Sequence, residues 1–464
     1  MTLIGTLNDK INSAAWGTPM ILLLILGGCI SSHASGWVQL RHMKHAMKSA
    51  AGGMLGKRRR GDGTLSQFEA VSTALAGTVG TGNITGVAVA LSLGGPGAVF
   101  WMWVSALIGM GTKYAEILLA VKFRERNKNG EYCGGPMYYI KNGLPGFLRW
   151  MAPVFCVFGA AASFGIGNMM QTGSIMDALE DTASLFSPAA GQSVWLKASC
   201  GALLAAAAAL SMRGSGASGR GKTSALIVPF MAAVYVAGAI LVITANIRNL
   251  PSAFAQIIGG AFSPAAVCGS AAGEGLKKTV EWGFRRGMFS HEAGLGSSPI
   301  AHGSADAESP VKQGFLGIFE VFTDTVVICT LTALMILCSG VPMEYGVRAG
   351  ASCVIAALST VMPPAAASLF MSVSVLLFAF SSIVGWSLYG ERCTGYLLGE
   401  RAVKPYRATF ITAVFLSSMM EFSQVIKISD TLNAMMAIPN VAAITVLAPT
   451  VKRETDEYFR RCRE

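Results

Sequence analysis

Glu69-Ala-Val-Ser-Thr-Ala-Leu-Ala-Gly77-Thr78-Val79-Gly80-Thr81-Gly82-Asn83 begins as an apolar helix and then meets three glycines, two threonine hydroxyls and an amide within one hydrophobic segment. Each glycine weakens a helix by about 1 kcal/mol, so the spacing predicts a break in mid-membrane. Lipid cannot satisfy freed backbone amides and carbonyls. A broken membrane helix is therefore stable only where protein, water, an ion or a ligand meets those groups. The competing reading is that the glycines only let helices pack closely.

Outward from that stretch, the chain has the composition of a polytopic membrane protein. Of its 464 residues 52% are hydrophobic and 13% charged, with 54 glycines, which excludes an ordinary soluble domain. The length accommodates about a dozen spans of roughly 20 residues. The first apolar run, Thr18 to Ile30, has neither a basic region before it nor an A-x-A-like site after it, so no cleavable signal is expected. The net charge of +11 gathers in loops between apolar runs, where topology explains it better than nucleic acid does. Ten cysteines without a C-x-x-C pair argue for packing residues over a disulfide framework or zinc.

Eleven spans follow, at about 16–37, 68–93, 99–121, 153–178, 194–212, 225–244, 265–302, 314–338, 367–388, 408–421 and 432–447, with a short interfacial segment at 136–142. Arg41, Lys44, Lys48 and Lys57 to Arg60 follow the first span; Lys122 to Lys128 follow the third; Arg392, Arg401, Lys404 and Arg407 follow the ninth. Basic loops stay cytoplasmic, which places the N-terminus outside and the tail, 452–464, in the cytoplasm. The seventh segment is interrupted by Phe289-Ser290-His291-Glu292-Ala293-Gly294-Leu295-Gly296-Ser297-Ser298-Pro299. Without the first span, ten remain, and the first and sixth of these are the interrupted ones, crossing in opposite directions. Residues 68–244 and 265–447 are thus two inverted repeats. Such corresponding interruptions point to a secondary transporter with its site at the repeat interface.

The sequences Gly77-Thr-Val-Gly80-Thr81-Gly82-Asn83-Ile84 and Phe289 to His302 resemble the sodium:alanine (alanine or glycine:cation) symporter family. So do Gly134-Gly135-Pro136-Met137-Tyr138-Tyr139, Gly167-Asn168-Met169-Met170-Gln171 and Gly385-Trp386-Ser387-Leu388-Tyr389-Gly390-Glu391. The similarity extends from about Trp16 to Val451. It implies an all-α polytopic protein with a LeuT-like 5+5 inverted repeat preceded by one extra N-terminal transmembrane helix. It further implies sodium-driven uptake, into a cell across its inner membrane, of a small neutral amino acid, usually alanine or glycine and sometimes glutamine. The family usually has asparagine where this chain has His291, at a position expected to face substrate.

A zwitterion at membrane depth needs both of its ends satisfied. Amides of Thr81, Gly82 and Asn83, with Thr78 and Gly80 beside them, suit a carboxylate at the start of a half-helix. Carbonyls near Ala76 and Val79 suit a hard cation, and the likeness to LeuT adds Ser381 and Ser382 as sodium hydroxyls; packing is the alternative for that pair. Gln171 is a substrate contact or an interhelical bond, and Trp386 a pocket wall or an interfacial anchor. Phe289 closes the pocket beside Trp386. His291 is a ligand contact, a proton-linked group or a satisfied core histidine. Glu69, Lys113, Glu116 and Asp324 are intramembrane charges to be paired.

Two other motifs fail on context. Gly216-Ala-Ser-Gly-Arg-Gly221-Lys222-Thr223 fits a phosphate loop by spacing but follows an apolar span instead of a strand, so no nucleotide is expected. His291-Glu292 opens H-E-x-x-H, yet Leu295 stands where the second histidine must be. Transport without catalysis is the expectation, with a proton-coupled or glutamine carrier, or remotely a channel, as rivals.

Overall fold

The computed structural model describes residues 17–55, 65–128, 130–184, 187, 193–213, 217–262, 272–347, 349–420 and 423–462. Helix α1 is Thr18–Ala34 and α2 Met43–Leu55. The first interrupted segment is α3, Gln67–Thr78, and α4, Thr85–Gly94, joined by a short 3-10 turn, Thr81–Asn83. Helix α5, Ala98–Lys122, leads to a two-residue β-hairpin in which Glu125 pairs with Cys133, then to α6, Pro136–Gly143. Next come α7, Met151–Phe164, and α8, Met170–Ser184, separated by a π turn at Gly165–Met169. Helices α9, Val194–Ser211, α10, Ser218–Ala245, and α11, Leu250–Phe262, complete the first half.

The second half opens with α12, Ala272–His291, and α13, Ser298–Gly303. Helix α14, Pro310–Val321, continues through a π stretch, Phe322–Cys329, into α15, Thr330–Ser339. Then follow α16, Ala351–Leu358, α17, Pro364–Leu398, α18, Val403–Ser417, α19, Ser423–Val446, and α20, Ala448–Arg461.

Helices stand at each of the eleven expected segments, with shifted ends. Span nine runs ten residues past Leu388, because Glu391 and Arg392 are paired inside the protein. Span ten ends at Ser417, and Glu421 lies outside the described residues. Residues 263–271, the expected start of span seven, are also outside them. Six of the described helices, joined where α7 meets α8 and α14 meets α15, are individually long and apolar enough to cross a membrane, and the α3–α4 pair qualifies as one span bent by 61°. The 452–464 tail is largely helix α20, fixed to α5 through Lys122 and Glu454 (2.6 Å) and through Tyr114 and Thr455 (2.8 Å).

The two interrupted segments lie antiparallel. Half-helix α13 packs on α3 and α12 on α4. The Leu65 amide donates to the Ser304 carbonyl, and the Asp306 amide to that of Leu65. The end of one segment is therefore tied to the beginning of the other. Among the described spans helix α5 is the most enclosed, with 83% of its apolar window buried against 22% for α9; it touches α1, α12, α13 and α14, while α9 is largely exposed. Helix α3 meets α17 where two glycines coincide: the Gly77 nitrogen and the Thr73 carbonyl lie 3.1 Å from where a Cβ on Gly385 would stand.

Candidate functional site at the two helix breaks

A continuous helix would pair the Gly80 amide with the Ala76 carbonyl and the Asn83 amide with that of Val79. Instead, the Gly80 amide donates to Asn83 Oδ1 (3.0 Å) and the Asn83 amide to the Gly80 carbonyl (3.2 Å). The Ala76 and Val79 carbonyls lose their helical donors. The amides of Thr81 and Gly82 have no hydrogen-bond acceptor among the described residues. Freed acceptors thus stand on one side of the break and freed donors on the other, as a hard cation and a carboxylate require.

The second break is different. Glu292 (φ 52°), Gly294 (φ 92°) and Gly296 (φ 81°) turn the chain through left-handed conformations, which cost a non-glycine residue steric strain. Neighbouring helices supply the partners. Lys113 Nζ, fully buried, donates to the His291 carbonyl (2.9 Å) at the end of α12 and to Ser298 Oγ (2.6 Å) at the start of α13. Glu116, one turn further along α5, accepts from the Gly294 amide (3.2 Å) and from Asn440 Nδ2, which also donates to the Gly294 carbonyl (2.8 Å). Glu292 accepts from Ser297 Oγ (2.6 Å).

The breaks meet at Asp324 in the π stretch. Its carboxylate accepts from Asn83 Nδ2 (2.6 Å), Ser290 Oγ (2.7 Å) and Thr325 Oγ1 (2.8 Å). Asn83 Nδ2 also lies 3.1 Å from Ser290 Oγ. Phe289 lies against Gly82, its ring carbons 3.5 and 3.6 Å from a Cβ built there. Ser382 Oγ is 3.1 Å from the equivalent point on Gly80 and donates to the Phe378 carbonyl (3.1 Å), which places its oxygen beside the first break.

Other residues singled out from sequence lie elsewhere or do different work. The Asn83 amide is spent in the 3-10 turn, which leaves the Thr81 and Gly82 amides as the free donors at this break. Ser381 Oγ bonds to the Phe378 carbonyl (2.8 Å) and faces Met231 Sδ (3.4 Å) on α10, away from Gly80. Thr78 Oγ1 turns back to the Ala74 carbonyl (3.2 Å). Glu69 forms a capping box with Ser66 at the start of α3.

His291 turns away from the junction. Gly283, Gly287 and His291 recur every four residues on the face of α12 that meets α5: Gly287 lies on Ser105, and the imidazole on Gly109. Its Nδ1 accepts from the Ala293 amide (3.1 Å), so Nε2 carries the proton and donates to Ser105 Oγ (3.1 Å). The ring borders a crevice of about 10 Å³ beside Leu24, Ile108 and Met288. That volume is enough for about one water and no amino acid. The glycine spacing on α12 was the available signal.

Trp386 and Gln171 come together at the π turn of span four. Trp386 is fully buried against Gly167, its side chain filling the space a Cβ there would need, and its Nε1 has no partner. Gln171 Nε2 donates to the Ile166 carbonyl (3.1 Å), while its Oε1 is unpaired. A free donor and a free acceptor therefore stand at this π turn. Asp324 was flagged as an intramembrane charge, but its partners, Asn440 and the clamp from Lys113 were not legible. The phosphate-loop match lies at the start of α10, preceded by helix α9, with residues 214–216 outside the described ones; its Arg220 pairs with Glu391 (2.8 Å).

Known proteins resemble this chain over nearly its whole length. The sodium:alanine symporter family model matches residues 1–464. An uncharacterized transporter of Haemophilus influenzae is 40% identical over 459 residues, covering 99% of this chain and 97% of its own. The sodium/alanine symporter AgcS of Methanococcus maripaludis is 39% identical over 457 residues, covering 98% and 97%. The crystal structure of MhsT in complex with L-phenylalanine superimposes with a TM-score of 0.54 at 13% identity, covering 84% of this chain and 97% of MhsT, which shows the shared LeuT-like fold. The chain belongs to the sodium:alanine symporter family.

Proposed function

We propose that this protein moves a small neutral amino acid such as alanine or glycine into the cell, driven by sodium moving in the same direction. One observation carries the proposal. The backbone groups freed at the first break lack partners, whereas those at the second are met by side chains of the protein itself. Sodium binds at the carbonyls of Ala76 and Val79 and the hydroxyl of Ser382, with Ser381 supporting that turn of α17. The substrate carboxylate sits on the amides of Thr81 and Gly82 beside Gly80 and Thr78. Gln171 Oε1 takes the ammonium end, and Phe289 and Trp386 wall the pocket. Around the junction three buried carboxyl groups, Glu116, Glu292 and Asp324, accompany one buried ammonium, Lys113.

The protein acts as a multi-pass transporter without chemistry on its cargo, its N-terminus outside and α20 in the cytoplasm. The inverted halves rock around the site. The test is uptake of labelled alanine or glycine into proteoliposomes under an inward sodium gradient. Replacing sodium by choline abolishes uptake; uptake that persists in choline removes the sodium assignment. Competition by glutamine stronger than by alanine would assign the larger substrate instead.

A further inference from the structure

We propose that His302, Glu320 and Gln313 form a proton-binding site whose occupancy modulates transport, separate from the sodium and amino-acid positions. The inference rests on the chain being a transporter, but not on which amino acid it carries. His302 lies on α13, the second half-helix of the interrupted segment. Gln313 and Glu320, seven residues apart on α14, share one face and enclose its ring. All three are at most 1% exposed. His302 Nε2 meets Glu320 Oε1, and Nδ1 meets Gln313 Nε2 at 2.8 Å. An amide N–H can point only at a lone pair, so the imidazole here is neutral with its proton on Nε2, donated to the carboxylate.

The unused atoms reveal the second state. Gln313 Oε1 and Glu320 Oε2 have no partner although both are buried. A half-turn of the Gln313 amide exchanges its N–H for its oxygen. A proton arriving from water then forms the Nδ1–H bond, which donates to Oε1, while Nε2–H still donates to Glu320. The product is an imidazolium held between a carboxylate and an amide oxygen, reached without moving backbone.

Other ionisable groups on the surrounding elements have their own partners. Lys113 on α5 is bound at the second break, and Tyr114, packed on Gly314, bonds Thr455. Tyr389 on α17 bonds the Thr73 carbonyl (3.3 Å) and lies within electrostatic range of Glu320 and Glu292. Glu292 is taken by Ser297, Glu69 on α3 by its own cap, and Cys133 of the hairpin by Arg392. Past α13, Arg124 binds the Ala305 carbonyl. Because Tyr389 also packs on Gly77, the pair adjoins the half-helix that carries the sodium carbonyls.

The experiment is alanine uptake into proteoliposomes at a fixed sodium gradient across a pH series. An added carboxylate favours an imidazolium and a removed one disfavours it. The pH profile of Gln313→Glu is expected to move to higher pH and that of Glu320→Gln to lower pH, relative to the unaltered protein. Profiles that stay in place, or uptake that falls by the same factor at every pH, overturn the proposal. Should either variant fail to fold, ¹⁵N-histidine spectra of the unaltered protein decide. His302 must convert from a neutral ring protonated at Nε2 to imidazolium across the pH series in which uptake changes, and a ring that stays neutral throughout overturns the proposal. Loss of all sodium-driven uptake in the unaltered protein would instead count against the transport reading.

Discussion

At the first interruption the Gly80 amide turns to Asn83 and leaves carbonyls on one side and amides on the other unpaired. At the second, Lys113 and Glu116 from α5 and Asn440 from α19 reach in and occupy the equivalent groups. Glycine opens the chain in both cases, but the helix packed alongside decides what the opening becomes. Helix α17 offers the first break Gly385, the Ser382 hydroxyl and the Tyr389 ring against Gly77, but no charge, so the opening is left to serve as the proposed receptor. Helix α5 brings a cation and a carboxylate to the second, which becomes a structural joint.

The largest effect should come from removing the joint's cation. Lys113→Met leaves the buried His291 carbonyl and Ser298 hydroxyl without their partner and should cost about 2–6 kcal/mol, roughly 1–3 for each buried group left unmatched, read as a lowered unfolding midpoint of the purified protein. An unchanged midpoint would mean that the second break is not held this way. Ser382→Ala acts on the receptor alone. It should raise the sodium concentration for half-maximal uptake about tenfold, the worth of one bond to a charged group, and leave the midpoint in place; no change in sodium dependence would move the cation elsewhere.

Gln171→Ala should weaken alanine roughly three- to tenfold through one lost hydrogen bond, with sodium dependence preserved at saturating alanine. His291→Asn sharpens the comparison from the other side. Because the ring faces α5, the order of preference among amino acids should not change, while stability falls by about 1 kcal/mol; an altered preference would return His291 to the pocket. The smallest effect lies outside the membrane, at Glu125. Partial burial would raise its carboxyl, but hydrogen bonds from Lys141 and Asn142 outweigh it and hold the group below its ordinary value. A lowered carboxyl stabilises above its unfolded value, and that contribution is lost as pH falls through the folded one. With the pair largely in water, Lys141→Met should barely alter the acid limb of unfolding.

Both breaks were legible because a run of glycines weakens a membrane helix wherever it falls, and basic loops marked the spans between them. The direction of side chains around the breaks was not. His291 reads as pocket-facing from its place beside Phe289, yet the Gly283–Gly287 stripe rotates it toward α5. Lys113 and Glu116 were visible as charges in an apolar span, but their targets lie some 180 residues on in sequence, at Ser298 and Gly294. Asp324 likewise gained meaning only when the π stretch set it between Asn83 and Ser290.

The crossing of Gly77 and Gly385 has a mechanical consequence. At Gly385 the helix α17 rests directly on the α3 backbone, and for a rocking bundle that is a smooth bearing on which to swivel. A single methyl added to Gly385 would act as a wedge against the Gly77 nitrogen and the Thr73 carbonyl, jamming alternation between the two faces of the membrane, with the Ser382 hydroxyl one turn away left in its place.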